Sequence, residues 1–224
     1  MTISGLTPLR LVAYTDYKSP YAYAASRPTL ALAVKYPLEI VWLPYTLRIA
    51  EYLGSVENRD EHQWRKVRYA YMDARRYAAK QGLTIKGPKR IFDGYLASVG
   101  MLYAQREDFF ASYHEQTFDR FWRRELDIED IDVVLAVLAN AGATTAGART
   151  WMLGEGRALL DEQQPRIFDA GVFGVPTYVL DGETFFGREH LPWLYWKLAG
   201  AQGPAPDIGY AHMPPVADTA GRTG

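Results

Sequence analysis

The pattern of apolar and polar positions predicts a strand, a helix and a second strand at the start of the chain. Residues 9–14 (LRLVAY) and 38–43 (LEIVWL) are short apolar runs with β-branched side chains, which favour buried strands. Between them, Ser19 is a strong N-cap and Pro20 suits the first helical position, so we expect a helix from Pro20 to Lys35. Strand, helix and strand in this order form a βαβ unit, which implies parallel strands.

In the middle of the chain, the apolar residues are spaced with the period of a helix. From about Glu61, apolar residues recur three and four positions apart, as Val67, Tyr71, Ala74 and Ala78 show, with basic residues between them. Gly142 is typical of a helix end. Further helices are predicted over residues 109–122, 130–141 and 145–170.

Strand signals return near the end. Residues 176–180 (PTYVL) and 183–186 (ETFF) flank Asp181-Gly182, which predicts a hairpin. A last helix is expected from about Arg188 to Leu198. Joining the two ends of the chain gives an α/β fold with a four-stranded mixed sheet, which is the thioredoxin-like arrangement. We therefore predict a discontinuous thioredoxin-like domain (residues 1–50 and 171–200), an inserted all-helical domain (51–170) and a Pro/Gly-rich tail (201–224).

Composition narrows the classes of function. The 224 residues carry a net charge of -1, which argues against nucleic acid or an anionic membrane as a partner. The chain has no cysteine, which excludes disulfides, thiolate metal sites and dithiol redox chemistry of its own. Its four histidines are widely spaced, so no metal site is predicted. The start of the sequence lacks the pattern of a signal peptide, and we expect a cytoplasmic protein.

Three segments together carry a resemblance to a known family. They are DYKSPYAY (16–23), KVRYAYMD (66–73) and GVFGVPTYVLDGETFFGREHL (171–191). They resemble segments of the 2-hydroxychromene-2-carboxylate isomerases and kappa-class glutathione transferases, which are DsbA-like proteins with a thioredoxin fold. A fourth segment, 121–142, is similar to a late helical segment of the same proteins, and the resemblance spans about residues 9–198.

The resemblance implies a site at the start of the first helix. Ser19 stands where a redox relative has its cysteine, and free N–H groups with the helix dipole favour an anion there. The implied anion is the thiolate of the cofactor glutathione, held ionised by a hydrogen bond from Ser19. The bond before Pro176 is expected to be cis, leaving the Val175 backbone N–H and C=O free to pair with the extended tripeptide.

The two ends of glutathione would be held by polar residues elsewhere. The resemblance assigns Glu189 to the γ-glutamyl amine, although the family has an aspartate there, and Arg188 replaces a small polar residue and could contact a carboxylate. His190 replaces the family's arginine. Lys66 and Asn58 match positions that hold the glycyl end.

The implied activity is isomerisation of a conjugated aromatic carboxylic acid by reversible thiolate addition and bond rotation. Basic residues of the helical insert would hold the carboxylate of this small substrate. A kappa-like glutathione transferase uses the same active-site residues and stays an open alternative, as does a non-catalytic thioredoxin-like binding module. By resemblance, a homodimer is the candidate assembly.

Overall fold

The computed structural model describes residues 9–49 and 54–206. Among them, one four-stranded mixed sheet has the order β2-β1-β3-β4, with β1 spanning Leu9–Thr15 and β2 spanning Leu38–Pro44. These two strands are parallel, while β3 (Thr177–Leu180) runs antiparallel to β1 and to β4 (Glu183–Phe186). The sheet thus joins the two ends of the chain, and the predicted fold class, βαβ unit and hairpin are confirmed.

The first helix has the predicted bounds, because its start is encoded locally. Helix α1 spans Pro20–Lys35, and Ser19 caps it with extended backbone while its Oγ accepts the N–H of Ala22 at 3.1 Å. Pro20 loses no hydrogen bond in the first turn. Small buried residues, Ala24 and Ala25 among them, face the core. The cap and the proline together fix where the chain leaves β1 and turns into the helix.

Between β2 and β3, the described residues form helices and no strand. They are a 3-10 turn at Val56–Asn58, α2 (Glu61–Ala79), α3 (Tyr95–Arg106), α4 (Phe110–Trp122), α5 (Ile131–Ala141), α6 (Ala148–Leu153) and α7 (Glu155–Asp169). The single helix predicted over 145–170 is wrong, because the backbone at Gly154 leaves the helical region (φ -113°, ψ -98°) and separates α6 from α7. The division into two domains stays a prediction.

Helix α3 was not predicted, because it is buried on every side. All residues from Ala97 to Ala104 are buried, so the helix shows no alternation of apolar and polar faces. Gly100 is needed where it stands, since a Cβ there would lie 2.3 Å from the Tyr113 hydroxyl and 2.9 Å from a Val134 methyl. Helix α3 is therefore the central element against which α4 and α5 pack.

The last helix begins later than predicted. Arg188–His190 forms a 3-10 turn, and α8 spans Leu191–Leu198 with Pro192 in its first turn. A proline there lacks only an N–H that would have no helical partner, so the regular helix starts just before it. Of the predicted tail, residues 201–206 form neither helix nor strand, and residues 207–224 lie outside the described part. Over residues 9–49 and 54–206, none of the helices combines the length and the apolar character needed to cross a membrane.

Candidate functional site

Ser19 and Val175 meet where the two halves of the sheet join. The Val175–Pro176 bond is cis, as predicted, and the Ser19 hydroxyl donates to the Val175 carbonyl at 3.3 Å. That carbonyl is therefore not free, contrary to our expectation. The Val175 N–H, by contrast, makes no hydrogen bond to another described residue. Ser19 is only 3% exposed, so its hydroxyl lies at a nearly closed junction between the helix start and the cis bond.

The segment before Ser19 is held by a buried ion pair that the sequence did not reveal. Asp16 accepts the backbone N–H groups of Lys18 (2.8 Å) and Leu47 (2.7 Å), and the Lys18 ammonium donates to the Leu47 carbonyl at 3.1 Å. The ammonium lies 3.7 Å from the Asp16 carboxylate. Burial raises the pKa of Asp16, and the Lys18 charge and the two N–H groups oppose that rise. This pair fixes the turn that carries Ser19 against the loop after β2.

Helix α2 forms a wall beside the start of α1. The hydroxyl of Tyr21, two residues after Ser19, donates to Asp73 of α2 at 3.0 Å. Burial, followed by this hydrogen bond, raises the pKa of Tyr21. For Tyr21 the sequence left two roles open, lining an aromatic pocket or packing the first helix, whereas Asp73 was not assigned a role, although the quoted segment 66–73 ends on it. Its position at the end of that segment was the only available signal.

The residues predicted for the glycyl end lie on the surface. Lys66 is exposed on α2, about two turns before Asp73 on a similar face of the helix, and it has no ionic partner among the described residues. Asn58 is exposed at the end of the 3-10 turn that precedes α2. The structure thus brings Lys66 onto the same wall as Asp73, and it places Asn58 on the segment leading into that wall.

The residues predicted for the γ-glutamyl end follow β4. The guanidinium of Arg188 stacks over the Tyr77 ring of α2 at 4.0 Å, and its buried Nε has no hydrogen-bond partner within the described chain. Glu189 is exposed, and its carboxylate folds back over Gly187, where a Cβ would lie 2.5 Å from it. A guanidinium and a carboxylate therefore lie on consecutive residues, and neither has an ion-pair partner among residues 9–49 and 54–206.

These unpaired groups fit the chemistry of glutathione. A peptide backbone needs partners for its own N–H and C=O groups, and the Val175 N–H is available. A carboxylate would pair with the Arg188 guanidinium, which has no ionic partner in the described part of the chain. Lys66 offers a second cation and Glu189 an acceptor for an ammonium group. The donor set thus contains the groups that a peptide with two carboxylates and one amine would need.

Comparisons with known proteins agree with this architecture. The curated 2-hydroxychromene-2-carboxylate isomerase of Pseudomonas putida is 26% identical over 181 residues, covering 80% of this chain and 88% of that protein. The enzyme of that name from Pseudomonas sp. (strain C18) is 24% identical over 191 residues, covering 84% and 89%. A solved 2-hydroxychromene-2-carboxylate isomerase superimposes with a TM-score of 0.73 at 23% identity, covering 86% and 96%.

Disulfide enzymes share the same fold. The cytosolic disulfide reductase DsbM from Pseudomonas aeruginosa, solved with GSH, has a TM-score of 0.53 at 18% identity, covering 79% of this chain and 88% of DsbM. The family model described as a DSBA-like thioredoxin domain matches residues 10–199. The chain therefore belongs to the family of DSBA-like thioredoxin domains.

Proposed function

We propose that this protein is a glutathione-dependent isomerase of a conjugated aromatic carboxylic acid of the 2-hydroxychromene-2-carboxylate type. One observation carries the proposal: a DsbA-like site is built around a serine in a chain without cysteine. Thiol chemistry at such a site requires a thiol from outside the chain. The two curated relatives named as isomerases support the reaction, and the related fold solved with GSH supports the choice of thiol.

The roles of the residues follow from their positions. Glutathione, when bound, would supply the thiolate that adds reversibly to the conjugated double bond of the substrate. The Ser19 hydroxyl would turn from the Val175 carbonyl and donate to that sulfur, while the N-terminus of α1 stabilises negative charge. The Val175 N–H would hold the peptide backbone. Because Asp16 and Lys18 fix the turn before Ser19, the backbone of Ser19 is in place before binding and only its hydroxyl has to rotate.

The same arrangement provides for both ends of the tripeptide. Arg188 would hold a carboxylate and Glu189 the amine of the γ-glutamyl group, while Lys66 and Asn58 would hold the glycyl carboxylate. Basic residues of α2 would attract the carboxylate of the aromatic substrate. We also propose that the thioredoxin-like domain and the helical insert predicted from the sequence are separate domains, and that the site lies between them.

A direct assay tests the proposal. Purified protein is given 2-hydroxychromene-2-carboxylate with and without glutathione, and isomerisation is followed by absorbance. We expect turnover only with the thiol and a loss of about 100-fold in the Ser19→Ala variant, the scale for removing one preorganised donor to a developing anion. The matched control is Asp130→Ala, which removes the N-cap of α5, a helix to which no site residue is assigned, and should keep its activity.

The other outcomes separate the alternatives. A glutathione conjugate that accumulates, detected by mass spectrometry, would assign the chain to the kappa-like transferases. Absence of glutathione binding in calorimetry at millimolar thiol would assign it to the non-catalytic binding modules. Folded wild-type protein with no turnover above the thiol-free control rejects the isomerase.

A further inference from the structure

The ring of Tyr69 is exposed although it lies beside the candidate site. Tyr69 is on α2 and is 58% exposed, and no other tyrosine of the described chain ranks among its exposed large apolar side chains. The packed face of α2 contains Ala74 and Ala78, which lie on a different side of the helix. The Tyr69 hydroxyl has no hydrogen bond to any residue in 9–49 or 54–206. An unpacked aromatic ring next to a site is available to contact a ligand.

The position of Tyr69 connects it to Ser19. Tyr69 is one helical turn from Asp73, so their side chains are neighbours on α2, about 5–6 Å apart at Cβ. Asp73 in turn accepts the hydroxyl of Tyr21, two residues beyond Ser19. The ring therefore lies at the outer edge of the wall that borders the start of α1.

Several basic residues lie on the same helix as this ring. Lys66 and Arg68 are exposed on α2 and have no ionic partner in the described part of the chain, while Arg65 pairs with Glu61 one turn earlier. Arg76 contacts Asp73 at 3.8 Å and is also largely exposed. An aromatic face bordered by unpaired cations complements a molecule with an aromatic ring and a negative group. An aromatic carboxylate has both.

We propose that Tyr69 is the specificity-determining residue for the aromatic acid, with its ring packed against the ring of the substrate. The inference rests on the proposed function, because it names the residue that recognises the substrate of the same site. The ring supplies contact area, and Arg68 receives the carboxylate, because Lys66 is assigned to the glycyl end of glutathione. The hydroxyl of Tyr69 is not required for binding. Glutathione does not contact Tyr69.

Calorimetry separates this inference from the proposed function. The probe is 2-hydroxycinnamate, which has the aromatic ring, conjugated double bond and carboxylate, and it is titrated into glutathione-loaded protein. We expect Tyr69→Ala to raise its Kd by about three- to tenfold, the scale of one aromatic pair, and Tyr69→Phe to change it less than twofold. The Kd of glutathione should be the same in all three proteins. Where turnover is observed, Tyr69→Ala should raise KM and leave kcat within twofold.

The matched control is Leu153→Ala, which truncates a similarly exposed apolar side chain (53%) on α6 and should leave every constant unchanged. Wild type that binds the probe but shows no turnover would reject the isomerase and leave the assignment of Tyr69 intact. Turnover and probe binding that are both unaffected by Tyr69→Ala would overturn the assignment and leave the isomerase intact. A wild type that does not bind the probe at millimolar concentration would also overturn it.

Discussion

At the scale of single residues, Ser19 shows what local sequence can and cannot predict. Its role as N-cap was predicted from the Ser-Pro pair alone, and the structure confirms that Ser19 caps α1. Its hydrogen bond to the Val175 carbonyl joins residues 156 positions apart, and only the resemblance pointed to that meeting. The Asp16–Lys18 pair could not be predicted, because nothing local distinguishes a buried lysine from an exposed one.

The electrostatic field at the start of α1 can be measured through the pKa of a cysteine placed there. In Ser19→Cys, the N–H groups of the first turn stabilise a thiolate, so we expect a thiol pKa below the ordinary value of about 8.5. The rate of alkylation by iodoacetamide as a function of pH reports this pKa. The matched control is Thr184→Cys, on an exposed position of β4, which should titrate near the ordinary value. Equal pKa values in the two variants would contradict an anion-stabilising site.

His114 should make stability depend on pH. Its ring is fully buried, with the Tyr17 hydroxyl 3.2 Å from Nδ1, and burial lowers the pKa of His114 to about 3. In the unfolded chain the pKa is about 6.5, so below that pH the unfolded state binds a proton that the folded state does not. The free energy of unfolding therefore falls as the pH is lowered from about 6 to 4, by about 1.4 kcal/mol per unit from this group.

Urea unfolding at pH 4.5 and pH 7 checks the effect of His114. The His114→Gln variant removes the titrating ring, so the difference in unfolding free energy between the two pH values should shrink by about 2–3 kcal/mol. The comparison between the two proteins cancels other groups, including Asp16, whose raised pKa acts in the opposite direction. An unchanged pH dependence in His114→Gln would show that this histidine is already protonated when folded.

At the scale of elements, the sequence predicts a helix or strand best where a single residue or a clear periodicity determines its type and its bounds. Helix α1 and the four strands are signalled by a cap, a hairpin dipeptide and short apolar runs, and they lie where predicted. Helix α3 has no such signal, because burial on every side removes the amphipathic pattern. The break at Gly154 depends on how α6 and α7 pack. The periodicity of residues 145–170 carries no information about that packing, so it predicted one continuous helix.

Packing around α3 can be tested at Gly100. In Gly100→Ala, the new methyl group would collide with the Tyr113 hydroxyl and with Val134, so we expect the free energy of unfolding to fall by about 1–3 kcal/mol. The control is Gly87→Ala, where the added Cβ would meet only the Tyr71 ring at 3.6 Å, an ordinary contact. Urea unfolding measures both variants. Equal stability of the two would show that α4 and α5 can move away from α3 without cost.

At the scale of the whole molecule, the two halves of the candidate site lie on opposite ends of the chain. A ligand that bridges them should stabilise the folded state, because the unfolded chain does not bring them together. We expect glutathione at 100 times its Kd to raise the free energy of unfolding by about 2.7 kcal/mol, which is a rise of several degrees in Tm. Differential scanning fluorimetry measures this shift.

Two control experiments with other ligands show which part of glutathione causes the shift in Tm. Ophthalmic acid, in which a methyl group replaces the thiol of glutathione, should raise Tm less than glutathione at the same concentration, because Ser19 then has no sulfur to bond. Free glutamate and glycine together should have no effect, since they cannot bridge the site. A rise in Tm that is identical for glutathione and ophthalmic acid would show that the sulfur makes no contact with the protein.

The long separation of Ser19 and Val175 also has a consequence for synthesis of the protein. A ribosome adds about 5–20 residues per second, so about 8–30 s pass between the two residues. During that time the nascent chain has β1, α1 and β2, but it lacks the strands that complete the sheet. The proposed capture of glutathione must therefore wait until β3 and β4 have been made, and a product truncated before Val175 would contain Ser19 without the other half of the site.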